Sequence, residues 1–112
     1  MSLSLKSEPK LADYQLYVKE MIVERGFKND TPDKVIILMN KELGGLGQAL
    51  RLTWGSRDGV TGDQKALLSK QLADTFIYML EFCNMFDISL EEAFRMREAE
   101  NMKRDWKPYN FY

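Results

Sequence analysis

Val35-Ile36-Ile37-Leu38-Met39-Asn40-Lys41-Glu42-Leu43-Gly44-Gly45-Leu46-Gly47-Gln48-Ala49-Leu50-Arg51-Leu52 is the stretch on which the fold turns. Its apolar residues recur every three or four positions, the period of one helix face. A single carboxylate, Glu42, falls on that face, with Leu38 and Met39 one turn before it and Gly45 and Leu46 one turn after. An ionised carboxylate on a core-facing stripe loses hydration, so it must take up a proton, pair with a cation or bind a metal. Gly44, Gly45 and Gly47 lie inside the same helix, where each glycine costs about 1 kcal/mol relative to alanine. Close contact with another helix, or approach of the backbone to a ligand, would offset that cost.

Helix signals flank this stretch on both sides. Thr31-Pro32-Asp33 has an N-cap residue followed by proline at the first helical position. Upstream, Leu11, Tyr14, Val18 and Met21 or Ile22 form one apolar stripe. That helix starts near Pro9, with its cap at Ser7 or Glu8, and ends before Gly26. Downstream, Gly55 to Gly62 reads as a loop; it has glycines but neither the lysine-serine signature of a phosphate loop nor a strand before it.

A third helix is expected from about Asp63 to Phe86. Its consecutive Phe76, Ile77, Tyr78, Met79 and Leu80 point to burial by several neighbours. Gln71, Asp74, Tyr78 and Glu81 nevertheless form a narrow polar line along it, and the apolar residues beside Asp74 argue that it looks inward. Ser89-Leu90-Glu91-Glu92 has the pattern of a capping box and opens a fourth helix, whose first turns bury Leu90, Ala93 and Phe94. Further along its face the residues become Arg97, Asn101 and Arg104, a turn from oil to cations and an amide.

The chain's 112 residues suit one domain, 1–112, ending in an aromatic tail over 106–112. Four helices with short connections and no strand pattern make the expected fold all-α, a four-helix bundle. A net charge of -1 provides no global field for a nucleic acid polymer. The absence of histidine excludes histidine bases and histidine-containing zinc sites, leaving hard cations with oxygen ligands. The lone cysteine, Cys83, sits in an apolar helical run and reads as core filler in a cytoplasmic protein. No segment has the length or hydropathy of a membrane span.

In such a bundle Glu42 and Asp74 can supply the carboxylates of a magnesium site, with phosphate oxygens and water completing the shell. Arg97, Asn101 and Arg104 would grip phosphate, since guanidinium matches it bidentately. The reaction class implied is metal-assisted attack of water on a phosphoanhydride.

The motifs resemble those of the MazG-like all-α nucleoside triphosphate pyrophosphohydrolases, relatives of the dimeric dUTPases. That family carries Glu-Glu-x-x-Glu, then Glu-x-x-Asp, then Lys-x-x-x-Asn-x-x-Arg on successive helices. Here the first motif corresponds to Lys41-Glu42-Leu43-Gly44-Gly45, the second to Gln71-Leu72-Ala73-Asp74, and the third to Arg97, Asn101 and Arg104. Asp87 to Ala93 is similar to the family's turn into the fourth helix, and the resemblance spans about Val35 to Trp106.

The resemblance implies hydrolysis of a nucleoside triphosphate to monophosphate and pyrophosphate with Mg²⁺ or Mn²⁺. Glu42, Asp74 and Gln71 would be metal ligands, and Glu42 or solvent the base. Of five acidic family positions the chain keeps Glu42 and Asp74; Lys41, Gly45 and Gln71 stand at the others. Glu81 cannot make up the loss, because it lies about 10 Å along the helix from Asp74. The alternative is a catalytically degenerate member that binds a nucleotide or serves as an oligomerisation module. A homo-dimer or homo-tetramer is expected in either case. Trp106 and Tyr109 in the tail would stack on a base, cover a partner subunit or pack on the chain's own bundle.

Overall fold

A computed structural model describes residues 3–53 and 61–105. Four helices follow in order: α1 (Leu11–Glu24), α2 (Pro32–Thr53), α3 (Gly62–Met85) and α4 (Leu90–Asn101). The described residues contain no strand, and the fold is all-α as expected.

Local chemistry sets the helix ends. At the start of α1 the backbone N–H of Lys10 donates to the Asp13 carboxylate at 2.8 Å, so the cap lies at Lys10 rather than at Ser7 or Glu8. The chain leaves α1 through Gly26, whose φ of +81° is a left-handed conformation that favours glycine. α2 begins at Pro32, directly after Thr31. The start of α3 has a complete capping box. The Gln64 N–H donates to the Thr61 hydroxyl at 3.3 Å, while the Thr61 N–H donates to the Gln64 side chain at 2.8 Å. At α4 the box is half made: Ser89 Oγ accepts from the Glu92 N–H at 3.3 Å, and the Ser89 N–H does not donate to the Glu92 carboxylate.

α2 runs unbroken through Gly44, Gly45 and Gly47. Its inward stripe is Val35, Leu38, Met39, Glu42, Gly45, Leu46 and Ala49, all buried or half-buried, and α3 is its main neighbour. Only Gly45 is tightly opposed. A Cβ there would collide with the Gln71 side-chain nitrogen, whereas Gly44 and Gly47 face open space.

α1 packs across α3 around Val18, Met21 and Leu80, with Tyr14, Ile22, Phe76, Ile77 and Leu90 against this cluster. Tyr14 and Phe76 meet edge to face, ring centroids 5.6 Å apart. The α1, α3 and α4 junction is tied by one side chain. Gln15 Nε2 donates to Asn84 Oδ1 at 3.1 Å and to the Ile88 carbonyl at 2.8 Å, and Gln15 Oε1 accepts from the Leu90 N–H at 2.9 Å. Asn84 Nδ2 returns a bond of 2.9 Å to the Gln15 carbonyl.

Two burial expectations fail. α3 is not enclosed all round, since Leu67, Leu72, Met79 and Phe86 are exposed along its outer flank. On α4 only Leu90 joins the core; Ala93 is exposed and Phe94 is 66% exposed, because α4 packs chiefly on α1 and through its first turn. No described helix is long and apolar enough to cross a membrane.

Candidate functional site

The polar line of α3 is its inward line. Gln71, Asp74 and Tyr78 are half-buried and Glu81 is buried, while Leu72 and Met79 between them face out. This arrangement follows from placing the α3 polar line toward the inward stripe of α2 and toward α1.

Glu42 is half-buried on the α2 stripe, so it keeps some hydration and does not need a compensating cation to remain folded. It has no salt bridge among the described residues, and Lys41 beside it is exposed on the outer side. Asp74 is half-buried and lines a cleft between α1, α2 and α3. Gln71 rests its amide nitrogen over Gly45, and its Oε1 is buried without a hydrogen-bond partner. Two of the three expected metal ligands therefore come from adjacent turns of α3, and the third from the opposing stripe of α2. Among the described residues no three His, Cys, Asp or Glu side chains form a metal-binding group.

Tyr78 reports how the acids converge. Burial raises its phenol above the usual range, and the charges of Glu42, Asp74, Glu81 and Asp30 add to the rise in that order. Glu42 and Asp74 thus act on one phenol in the α2 and α3 groove.

The cleft has a volume of about 200 Å³. Phe27, Leu38, Ile77 and Tyr78 contribute apolar and aromatic walls, and Asp30, Lys34, Asp74 and Glu81 contribute charge. Asp30 holds Lys34 at 2.9 Å, one turn apart. That bond lowers the Asp30 carboxyl against the opposing effect of desolvation, and hydrogen bonding to Glu81 lowers it further. Burial, then the hydrogen bond and charge of Asp30, push Glu81 up to about 7. Asp30 is therefore the ionised member of the pair, and Glu81 the one that retains a proton close to neutrality.

The cationic triplet lies apart from this cleft within one chain. Arg97 is exposed and donates to Glu100 at 2.8 Å. Asn101 ends α4, and Arg104 follows in an exposed turn whose N–H donates to the Asn101 carbonyl at 3.1 Å. None of the three lines the cleft. Trp106 and Tyr109 lie outside the described residues.

Sequence reasoning passed over Asp30 and Lys34 as a site element, although their spacing of four was a visible pairing signal. It noticed Glu81 on the polar line but could not foresee Asp30 beside it, because the contact crosses 51 residues of chain. Cys83 is buried as expected, and burial raises its thiol.

Comparison with protein-family models and with curated proteins finds no match for this chain. Fold and site together define an all-α protein whose described residues form four helices, with a carboxylate- and amide-lined groove between α2 and α3.

Proposed function

We propose that the chain is a MazG-like nucleotide pyrophosphohydrolase, hydrolysing a nucleoside triphosphate to monophosphate and pyrophosphate with Mg²⁺ or Mn²⁺. The observation that carries this reading is the buried, unpartnered Oε1 of Gln71, which shares the α2 and α3 interface with Glu42 and Asp74. A buried acceptor without a donor is costly, and a hard cation is the partner that amide and carboxylate oxygens favour.

Glu42, Asp74 and Gln71 would hold the metal, which when bound supplies charge neutralisation along the phosphate chain. Glu42, being half-exposed, can reach solvent and is the residue assigned to take a proton from the attacking water. Lys41 is exposed, which is consistent with a groove left open to a cation. Arg97, Asn101 and Arg104 remain the proposed phosphate grip. The exposed stripe of Leu72, Met79 and Phe86 supports a homo-dimer or homo-tetramer, since a run of large apolar side chains on one flank is a surface that association covers. The setting proposed is cytoplasmic, with no membrane or nucleic acid polymer as partner.

The second reading, a degenerate nucleotide-binding or oligomerisation module, is favoured by Lys41, Gly45 and Gln71 standing where the resemblance would have acids. Pyrophosphate release from a panel of nucleoside triphosphates with Mg²⁺ or Mn²⁺ separates the two. The hydrolase yields pyrophosphate, and Glu42→Gln and Asp74→Asn lower the rate at least about a hundredfold. No product at high protein concentration, together with nucleotide binding indifferent to metal, selects the module instead.

A further inference from the structure

The cleft between α1, α2 and α3 contains more charges than it offers to a ligand. Arg25, Asp30, Lys34, Asp74 and Glu81 all line it. Asp30 and Lys34 are engaged with each other at 2.9 Å, and Glu81, at 4% exposed, presents almost no surface. Arg25 and Asp74 remain. Arg25 caps the C-terminal end of α1 and is exposed, whereas Asp74 is half-buried within α3. Among the described residues neither side chain forms an ion pair or a hydrogen bond, with the other or with any third group.

Two opposite charges thus face one cleft of about 200 Å³ and do not meet. A ligand satisfies both only if it presents both signs. A divalent cation with bound phosphate does so, its positive charge meeting the carboxylate and its phosphate oxygens the planar fork of the guanidinium. Phe27, Leu38 and Ile77 add apolar wall, and low polarity around charge-assisted hydrogen bonds strengthens them.

We infer that Arg25 is a phosphate-binding residue of this cleft, contacting the oxygens of a metal-bound diphosphate or triphosphate whose cation sits on Asp74. The identity of the ligand rests on the nucleotide reading above; the assignment of Arg25 rests on the unpaired charges of the cleft. Arg97, Asn101 and Arg104 do not line the cleft, so Arg25 is the unpaired cation that this cleft itself supplies. It also precedes the segment, about Val35 to Trp106, over which the motif resemblance runs.

Pyrophosphate is the probe, because it has the phosphates without the base. Calorimetric titration of the full chain with pyrophosphate in excess Mg²⁺ is expected to show saturable binding that weakens about tenfold or more in Arg25→Gln. Arg25→Lys keeps the charge, loses the fork and falls between the two. Lys28→Gln removes a nearby exposed cation that does not line the cleft, and binds like the wild type. Chelating the metal weakens binding, since Asp74 then repels the anion. Both positions are exposed, and the Arg25 bond that closes α1 comes from its backbone N–H, so circular dichroism is expected to show unchanged helix content in all three variants.

No binding of magnesium pyrophosphate by the wild type, binding indifferent to chelation, undiminished binding in Arg25→Gln, or an equal loss in Lys28→Gln overturns the proposal. So does tighter binding of glycine without metal than of magnesium pyrophosphate, which assigns the two charges to a zwitterion. Triphosphate hydrolysis by the wild type with pyrophosphate binding undiminished in Arg25→Gln removes Arg25 and leaves the hydrolase reading intact. Arg25-dependent binding without hydrolysis keeps this residue and selects the nucleotide-binding module.

Discussion

The side-chain amide of Gln71 on α3 occupies the space that a Cβ on Gly45 of α2 would need. The two positions are thus matched to each other, small on one helix and reaching on the other. Both are positions where the resemblance would put an acid, and here they bring the two helices into close contact instead. The Gln71 oxygen remains inside, buried and without a donor.

Gly45→Ala tests that match. Its methyl meets the amide nitrogen first and Gln71 Cδ at 3.4 Å, both at the end of a flexible side chain that can swing aside. Stability is expected to change by less than about 1 kcal/mol, the helix-propensity gain being set against displacement of the amide. Mg²⁺ affinity falls if Gln71 is a ligand, whereas Gln71→Glu tightens it by adding a charge. Calorimetric Mg²⁺ titration of the two variants checks both directions.

Gly44 and Gly47 behave differently, because nothing lies within 4 Å of a Cβ at either position. Gly44→Ala and Gly47→Ala are each expected to stabilise the protein by about 0.5 to 1 kcal/mol, from helix propensity and a less disordered unfolded chain. Thermal unfolding should move upward in both. A loss of stability would mean that a second copy or a ligand approaches this backbone closely.

Glu81 makes stability depend on pH. Its folded value of about 7 lies above the 4.5 of an ordinary glutamate, so between those values the native state binds more protons than the unfolded chain. Stability therefore falls as pH rises from 4.5 to 7 and is flat above that range as far as Glu81 is concerned. The effect is at most on the order of 3 kcal/mol. Asp30, lowered from 3.8, acts in the opposite sense and only below that pH. Urea unfolding from pH 4.5 to 8 should show the slope in the wild type and a flatter profile in Glu81→Gln.

Gln15 carries the junction of three helices on one side chain. Gln15→Ala removes its bonds to Asn84, Ile88 and Leu90, of which Asn84 and Leu90 are half-buried and Ile88 is exposed. A loss of about 2 to 3 kcal/mol is expected. Asn84→Ala should cost a similar amount, and the double variant less than the sum, because both lesions cut the same set of bonds. Chemical denaturation of the three proteins measures the coupling.

Short-range chemistry was readable in advance. Pro32 after Thr31, Gly26 at the end of α1, and Ser89 before α4 act over three or four residues, and helix periodicity placed Val35, Glu42 and Ala49 on one stripe. The first cap was misplaced because Lys10 is not a cap-type residue; the Asp13 carboxylate, three residues on, closes that turn through the backbone. The enclosure of α3 and the burial of Phe94 were overestimated for another reason. Apolar content says that a residue can be covered, but not that a neighbour arrives to cover it.

By itself the sequence determined four helices, their polar and apolar faces, and the inward position of Glu42, Gln71 and Asp74. Those follow from backbone hydrogen bonding and a period of 3.6 residues, which are local. Only the tertiary structure decided that Gln71 lies over Gly45, that Asp30 meets Glu81, and that Arg97 and Arg104 stand away from the cleft within one chain. Such pairings depend on how helices cross and which flanks meet, and packing between residues far apart in the chain sets that geometry.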